Sequence, residues 1–397
     1  MELRPGRAGA LVDTPDGVVV TGAPPRARVT IEASLELSGL SWSCVGEYVV
    51  DDNGEVDTAR AASVGGSYHG VDPFGLFWSA DVPRRPDPQS VRPLNVTLRA
   101  TCEDLVCDAS YLRRVQGDGV TDHVVDATGV VGRLFAPAEE GGSRAVVLLS
   151  GSEGGMAWPL MGALLASHGV TSLSLAYFGR AGVPDQLRDI DVEVVGRACD
   201  WLRRVPGVED RPPSVIGISR SGELALLAAA LEPDKVGPVV SLVGSGVAWG
   251  ELDEQTGAHV AAWRFEGEPV PQLREDPDHP LALLDDAEAL AAAEIPVERA
   301  TGPVLLLSGE DDGFWPSARL SRIAEARAQR EGCGEKVVHV AYPDAGHGVG
   351  SPPGLAMPSV VHLGEATLRP GGTRAGNQAA RVDAWSRILE HVGAPIR

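Results

Sequence analysis

The 397-residue sequence has no apolar run approaching the roughly 20 residues that a membrane-spanning helix requires. Residues 1–6 lack the apolar core of a secretory signal, so a cytoplasmic location is expected. Basic residues are scarce: 34 Lys and Arg face 55 Asp and Glu, a net charge of −21. That balance argues against nucleic acid or an anionic membrane as a partner. An anionic substrate would need basic side chains gathered at the mouth of its site. Cysteines number five (Cys44, Cys102, Cys107, Cys199 and Cys333), and none forms a CxxC pair. Reduced, mostly buried thiols are expected, with no metal site and no cofactor. Among the histidines, His259, His279 and His362 could line a lid, but no pair has metal-ligand spacing.

What is present divides by periodicity. In the first third, Val29, Ile31, Ala33, Leu35 and Leu37 alternate with polar residues, as do Val96, Leu98, Ala100 and Cys102. This is the pattern of half-buried strands. Asp51-Asp52-Asn53-Gly54 gives the clearest hairpin signal between them. An antiparallel sandwich over residues 1–117 follows.

From about residue 118 the rhythm changes. After a hairpin through Val124, Val125, Val130 and Val131, apolar strands at 146–149, 170–175, 215–218, 239–243, 304–307 and 337–340 alternate with helical segments at 160–166, 192–203 and 224–231. Alternating βα units predict an α/β domain over 118–397 with a mostly parallel sheet and helices on both faces. Residues 248–299, rich in Asp, Glu and Pro, interrupt the rhythm as an insertion or lid.

Three segments carry chemistry. Gly217-Ile218-Ser219-Arg220-Ser221 joins an apolar strand to a helix. A serine on such a tight turn is thrust out at the sheet edge, which makes Ser219 the candidate nucleophile. The usual pattern ends in glycine; here Ser221 stands at that position and Gly222 follows it. Serine needs a base, and two loops that leave later strands offer partners: Ser308-Gly309-Glu310-Asp311-Asp312 and Tyr342-Pro343-Asp344-Ala345-Gly346-His347. The order serine, acid, histidine is that of an α/β-hydrolase, with His347 as general base and Asp312, Asp311 or Glu310 as the acid. The amide of Arg220, with one from Gly151-Ser152-Glu153-Gly154-Gly155, either Ser152 or Glu153, would form the oxyanion hole.

Together these segments resemble the acyl-CoA thioesterases grouped with bile acid-CoA:amino acid N-acyltransferase. The similarity extends to Val29-Thr30-Ile31-Glu32-Ala33-Ser34, to Asp72-Pro73-Phe74-Gly75-Leu76-Phe77-Trp78 and to Cys199-Asp200-Trp201-Leu202. The resemblance implies an N-terminal immunoglobulin-like sandwich before an α/β-hydrolase domain. It further implies a Ser219–His347–Asp312 triad, an acyl-CoA substrate, and no metal or redox cofactor. Family members use Ser or Cys as nucleophile. Ser219 implies hydrolysis, because an oxyester is cleared by activated water whereas a thioester intermediate suits attack by an amine. Residues 394–397 lack the peroxisomal signal of some relatives. The alternatives are acyl transfer to an amine or alcohol, hydrolysis of an ester, lactone or amide, and a non-catalytic binding protein. Nothing in the pattern specifies an oligomeric state.

Overall fold

The computed structural model describes residues 1–395 except 85–86, 88, 139–140, 254–255, 275–280 and 364–365. His279 and the terminal pair 396–397 therefore lie outside the described residues, as does the side chain of His362.

The alternating N-terminal segments form β1 (Arg28–Leu37), β2 (Leu40–Val49), β3 (Leu94–Cys102) and β4 (Leu105–Arg113). With Gly65–Gly66 at the edge they make an antiparallel sheet in the order Gly65–Gly66, β2, β1, β3, β4. Val20 and Val56 of a second sheet (Glu2–Arg4, Val19–Thr21, Glu55–Asp57), with Val18 just before it, join the buried faces of β1 and β3 in one core. The Asp51–Gly54 turn forms, but it does not close a hairpin. Glu55–Asp57 pairs with Val19–Thr21, so the turn carries the chain from one sheet to the other. The tight β1–β2 hairpin instead uses Ser38 and Gly39, both at positive φ. Cys102 and Cys107 sit on paired strands, and all five cysteines are unpaired.

The second part contains β5 (Thr121–Ala127), β6 (Val130–Ala136), β7 (Arg144–Leu149), α1 (Pro159–Ser167), β8 (Val170–Ala176), α2 (Glu193–Leu202), β9 (Ser214–Ile218), α3 (Arg220–Leu231), β10 (Val239–Leu242), β11 (Val304–Gly309), α4 (Ser317–Arg330), β12 (Val337–Tyr342) and α5 (Arg374–His391). Its eight strands run β12-β11-β10-β9-β7-β8-β6-β5. All pairs are parallel except β5–β6 and β6–β8. This is the α/β-hydrolase arrangement expected.

The strands read as continuous apolar runs because both faces are covered. Val146, Leu148, Ile216, Ile218, Val240 and Leu242 join the core beneath α1 and α5, whereas Val147, Leu149, Val215 and Val239 join the core beneath α2 and α3. The first of these cores continues into the sandwich. At that seam the buried Asp13 carboxylate accepts from His168 Nε2 (2.6 Å) and Trp385 Nε1 (2.7 Å). The insertion is tied in rather than detached: Trp263–Phe265 pairs with Ile190–Asp191. Among the described residues no helix is long and apolar enough to cross a membrane.

Candidate active site

Parallel registry aligns the carboxyl ends of four neighbouring strands. Ile218 pairs with Leu242, Leu242 with Leu307, and Gly309 with Tyr342. The loops leaving those ends therefore share one rim of the sheet.

At the first of them Ser219 adopts φ 55°, ψ −122° between β9 and α3. A side-chain-bearing residue at such angles is strained by about 1–3 kcal/mol, so the surroundings must hold it there. A Cβ on Gly217 would come within 2.0 Å of the Ser221 carbonyl oxygen, and one on Gly222 within 2.6 Å of Ser241 Oγ. Both glycines are thus required by close approach. Ser221 is not: its buried hydroxyl accepts from Ile218 N (2.7 Å) and donates to Leu149 O (3.0 Å), stitching β9 to β7. The sequence departure at this position is a structural hydrogen bond, and it keeps Ser221 away from the rim.

Helix α3 starts at Arg220, and its first turn is buried like the Leu- and Ala-rich stretch that follows. The Arg220 guanidinium bonds Glu223 (2.7 Å), the carbonyls of Trp249 (2.9 Å) and Gly250 (3.1 Å), and Glu251 (3.0 Å). Glu223, fully buried, also accepts from Trp249 N (2.9 Å) and Trp263 Nε1 (3.0 Å). Burial pushes its carboxyl up to about 7, with Arg220 opposing. The residue after the candidate nucleophile is thereby locked to the insertion. Only the Arg220 amide drew notice in the sequence. An Arg and a Glu three apart on an otherwise Leu- and Ala-rich helix was the available signal.

At the second loop, Asp312 alone of the three adjacent acids meets an imidazole. His347 Nδ1 lies 3.0 and 2.9 Å from its two carboxylate oxygens, and the side chain is wholly buried. Phe314 N also donates to Asp312 Oδ1 (3.0 Å). Asp311 instead accepts from Gly372 N (2.9 Å), and Glu310 pairs on the surface with Arg322. The His347 ring is 6% exposed and rests on Phe314 with centroids 4.5 Å apart. Phe314 was not foreseen, since an aromatic following a Gly carries no signal of its own.

The segment 369–372 braces both loops. Pro370 O accepts from His347 N (2.7 Å) and Gly313 N (3.1 Å), while Asn377 accepts from Gly346 N (2.8 Å) and donates to Gly371 O (3.0 Å). Beyond His347 the chain crosses the end of β10, where a Cβ on Gly350 would meet Leu242 at 2.5 Å. Leu242 O in turn accepts from Ser219 N (2.8 Å). The imidazole loop and the elbow thus flank the same strand end. With Nδ1 turned to Asp312, Nε2 is the nitrogen left for a substrate-side proton. Among the described residues no hydrogen bond yet joins it to the Ser219 hydroxyl.

Across the elbow, Gly151 leaves β7 so close that its Cβ would stand 3.4 Å from Ser219 Cβ. Gly154 N is used by Gly151 O and Gly155 N by Phe178 O, whereas the amides of Ser152 and Glu153 have no acceptor among the described residues. The Glu153 carboxylate is held by Trp158 Nε1 (3.3 Å).

Known proteins give a consistent picture. The family model for the BAAT / acyl-CoA thioester hydrolase C terminus matches residues 190–393, and that for the acyl-CoA thioester hydrolase/BAAT N-terminal region matches residues 13–127. The chain is 31% identical to acyl-coenzyme A thioesterase 6 of Mus musculus over 95% of its own length and 92% of the relative's. It is 30% identical to the mitochondrial acyl-coenzyme A thioesterase 2 of Rattus norvegicus, covering 98% and 87%. With the peroxisomal succinyl-coenzyme A thioesterase of Mus musculus the identity is 27% over 96% and 94%.

Proposed function

Because the chain belongs to the BAAT / acyl-CoA thioester hydrolase family, we propose that it hydrolyses acyl-CoA thioesters through an acyl-enzyme on Ser219. His347 Nε2 takes the Ser219 proton as the oxygen attacks the thioester carbonyl. Asp312 holds the imidazole with Nδ1 protonated and offsets the charge that forms on it. The amide of Arg220 and that of Ser152 or Glu153 receive the oxyanion, assisted by the positive end of α3. The tetrahedral intermediate collapses, the C–S bond breaks and the CoA thiol leaves with the proton from His347. Water, deprotonated by the same imidazole, then cleaves the oxyester and releases the carboxylic acid. The reading extends to residues 1–117 as a sandwich domain, to 118–397 as the catalytic domain with 248–299 as its insertion, and to the cytoplasm, a reducing compartment where five unpaired cysteines persist as thiols.

The observation that carries this reading is the buried Asp312–His347 pair on the rim where strained Ser219 emerges. Serine, rather than cysteine, favours hydrolysis over acyl transfer to an amine, because amines attack thioesters more readily than oxyesters. Thiol release measured across an acyl-CoA panel should fall by about 1,000-fold or more in Ser219→Ala. Undiminished release in that variant refutes the nucleophile. Conjugates formed with added amines in place of free acid refute hydrolysis.

A further inference from the structure

A cavity of about 190 Å³ opens next to the His347 loop, with Trp78, Gly348, Arg369, Gly371, Arg374 and Arg381 in its wall. In a chain with a net charge of −21, three arginines and, among the described residues, no carboxylate line this one space. The three differ in what their charge is free to do. Arg381 is buried and donates to the carbonyls of Ser351, Pro352 and Leu355, so it shapes the wall. Arg374, exposed in the first turn of α5, donates one N–H to Ser79 O (3.0 Å) and keeps the others. Arg369 is exposed and makes no hydrogen bond or ion pair among the described residues. Two arginines line this space beside the N-terminus of an 18-residue helix, and both guanidinium fork donors and a helix dipole favour phosphate oxygens.

We propose that this cavity binds the phosphates of the CoA leaving group, through Arg369 and Arg374; this rests on the thioesterase reading. A base that returns its proton to the leaving sulfur must face it, so the CoA arm departs on the His347 side. The cavity begins at Gly348, one residue on. Arg369 is also the neighbour of Pro370, whose carbonyl holds His347 N and Gly313 N. The backbone bond from His347 N to Pro370 O therefore joins the loop that carries the imidazole to the segment that carries Arg369. Phosphate binding remote from the reacting carbon would orient the thioester before attack.

The test compares one acyl group carried on CoA and on pantetheine, which lacks the nucleotide and its phosphates. In the wild-type protein kcat/KM for the CoA thioester should exceed that for the pantetheine thioester by about tenfold or more, the worth of one charge-assisted contact. In Arg369→Ala this ratio should collapse through a higher KM for the CoA thioester, and Arg369→Lys should recover part of it. An unaltered ratio in Arg369→Ala, or no wild-type preference, overturns the inference. If the arginines instead serve a carboxylate on the acyl group, Arg369→Ala will penalise succinyl-CoA and spare butyryl-CoA, which also overturns it. A wild-type protein that cleaves neither carrier refutes the thioesterase reading alone. Titration of free CoA by calorimetry then decides the cavity: binding weakened in Arg369→Ala supports it, and no binding to the wild type overturns it.

Discussion

The two halves of the site are held by different physics. On the elbow side, Ser219 is fixed through Arg220 and Glu223, a buried ion pair whose remaining bonds run into the insertion at Trp249, Gly250, Glu251 and Trp263. On the imidazole side, outside the Asp312–His347 pair itself, bracing is mostly neutral, from the backbone carbonyls of 370 and 371, the Asn377 amide and the Phe314 ring, with the Asp311 carboxylate on Gly372 N as the one charged member. A buried charge pair is sensitive to pH and to loss of either partner, because the survivor is left without compensation. A neutral hydrogen-bond lattice loses about 1–2 kcal/mol per contact and titrates nowhere in the working range. The contrast places a fully buried carboxyl that titrates near neutrality, Glu223, on the nucleophile's side.

Substitutions can break that comparison in order of effect. Asp312→Asn or His347→Ala should lower kcat by about 1,000- to 10,000-fold in the thiol-release assay, with the fold retained by circular dichroism. Arg220→Met leaves Glu223 buried beside Trp263 without its cation and should cost about 3–5 kcal/mol in urea unfolding. The double variant Arg220→Met/Glu223→Leu should regain part of that loss, and no regain would contradict a role for the uncompensated charge.

The pH dependence comes next. The Glu223 carboxyl titrates near 7 when folded, above its ordinary 4.5. A raised carboxyl favours the folded state below the unfolded value, and that advantage is lost as pH climbs from about 4.5 through 7. Wild type compared with Glu223→Gln should therefore lose about 3 kcal/mol across this window. A flat difference between the two would remove Glu223 as the titrating group. The smallest effect belongs to the neutral side. Asn377→Ala should cost about 1–2 kcal/mol, read as a modest fall in kcat, with an unaltered pH profile.

How much of this was visible in the sequence follows from what each feature depends on. The eight-stranded sheet was legible because buried parallel strands read as apolar runs, and the helices between them admit few other topologies. Ser219 and His347 stood out because both sit in small-residue loops just beyond such runs. Asp312 could not be separated from Asp311 by position. Only the folded loop turns one carboxylate to the imidazole and the other to Gly372 N. The Asp51–Gly54 turn was misread as a hairpin because turn chemistry fixes the reversal and not which sheet receives the next strand. The Arg220–Glu223 network showed locally only its spacing of three, and the arginines at residues 369, 374 and 381 showed nothing, because their partners come from segments far apart in the chain. Both became readable once the insertion and α5 were in place.

The most direct test of the account is to quench the protein during turnover of a slowly hydrolysed acyl-CoA and map the acyl group by peptide mass spectrometry. The account predicts one acylated residue, Ser219, whose adduct is absent from Ser219→Ala and strongly reduced in His347→Ala. An acyl group on any other residue, or thiol release in Ser219→Ala at the wild-type rate, would contradict it.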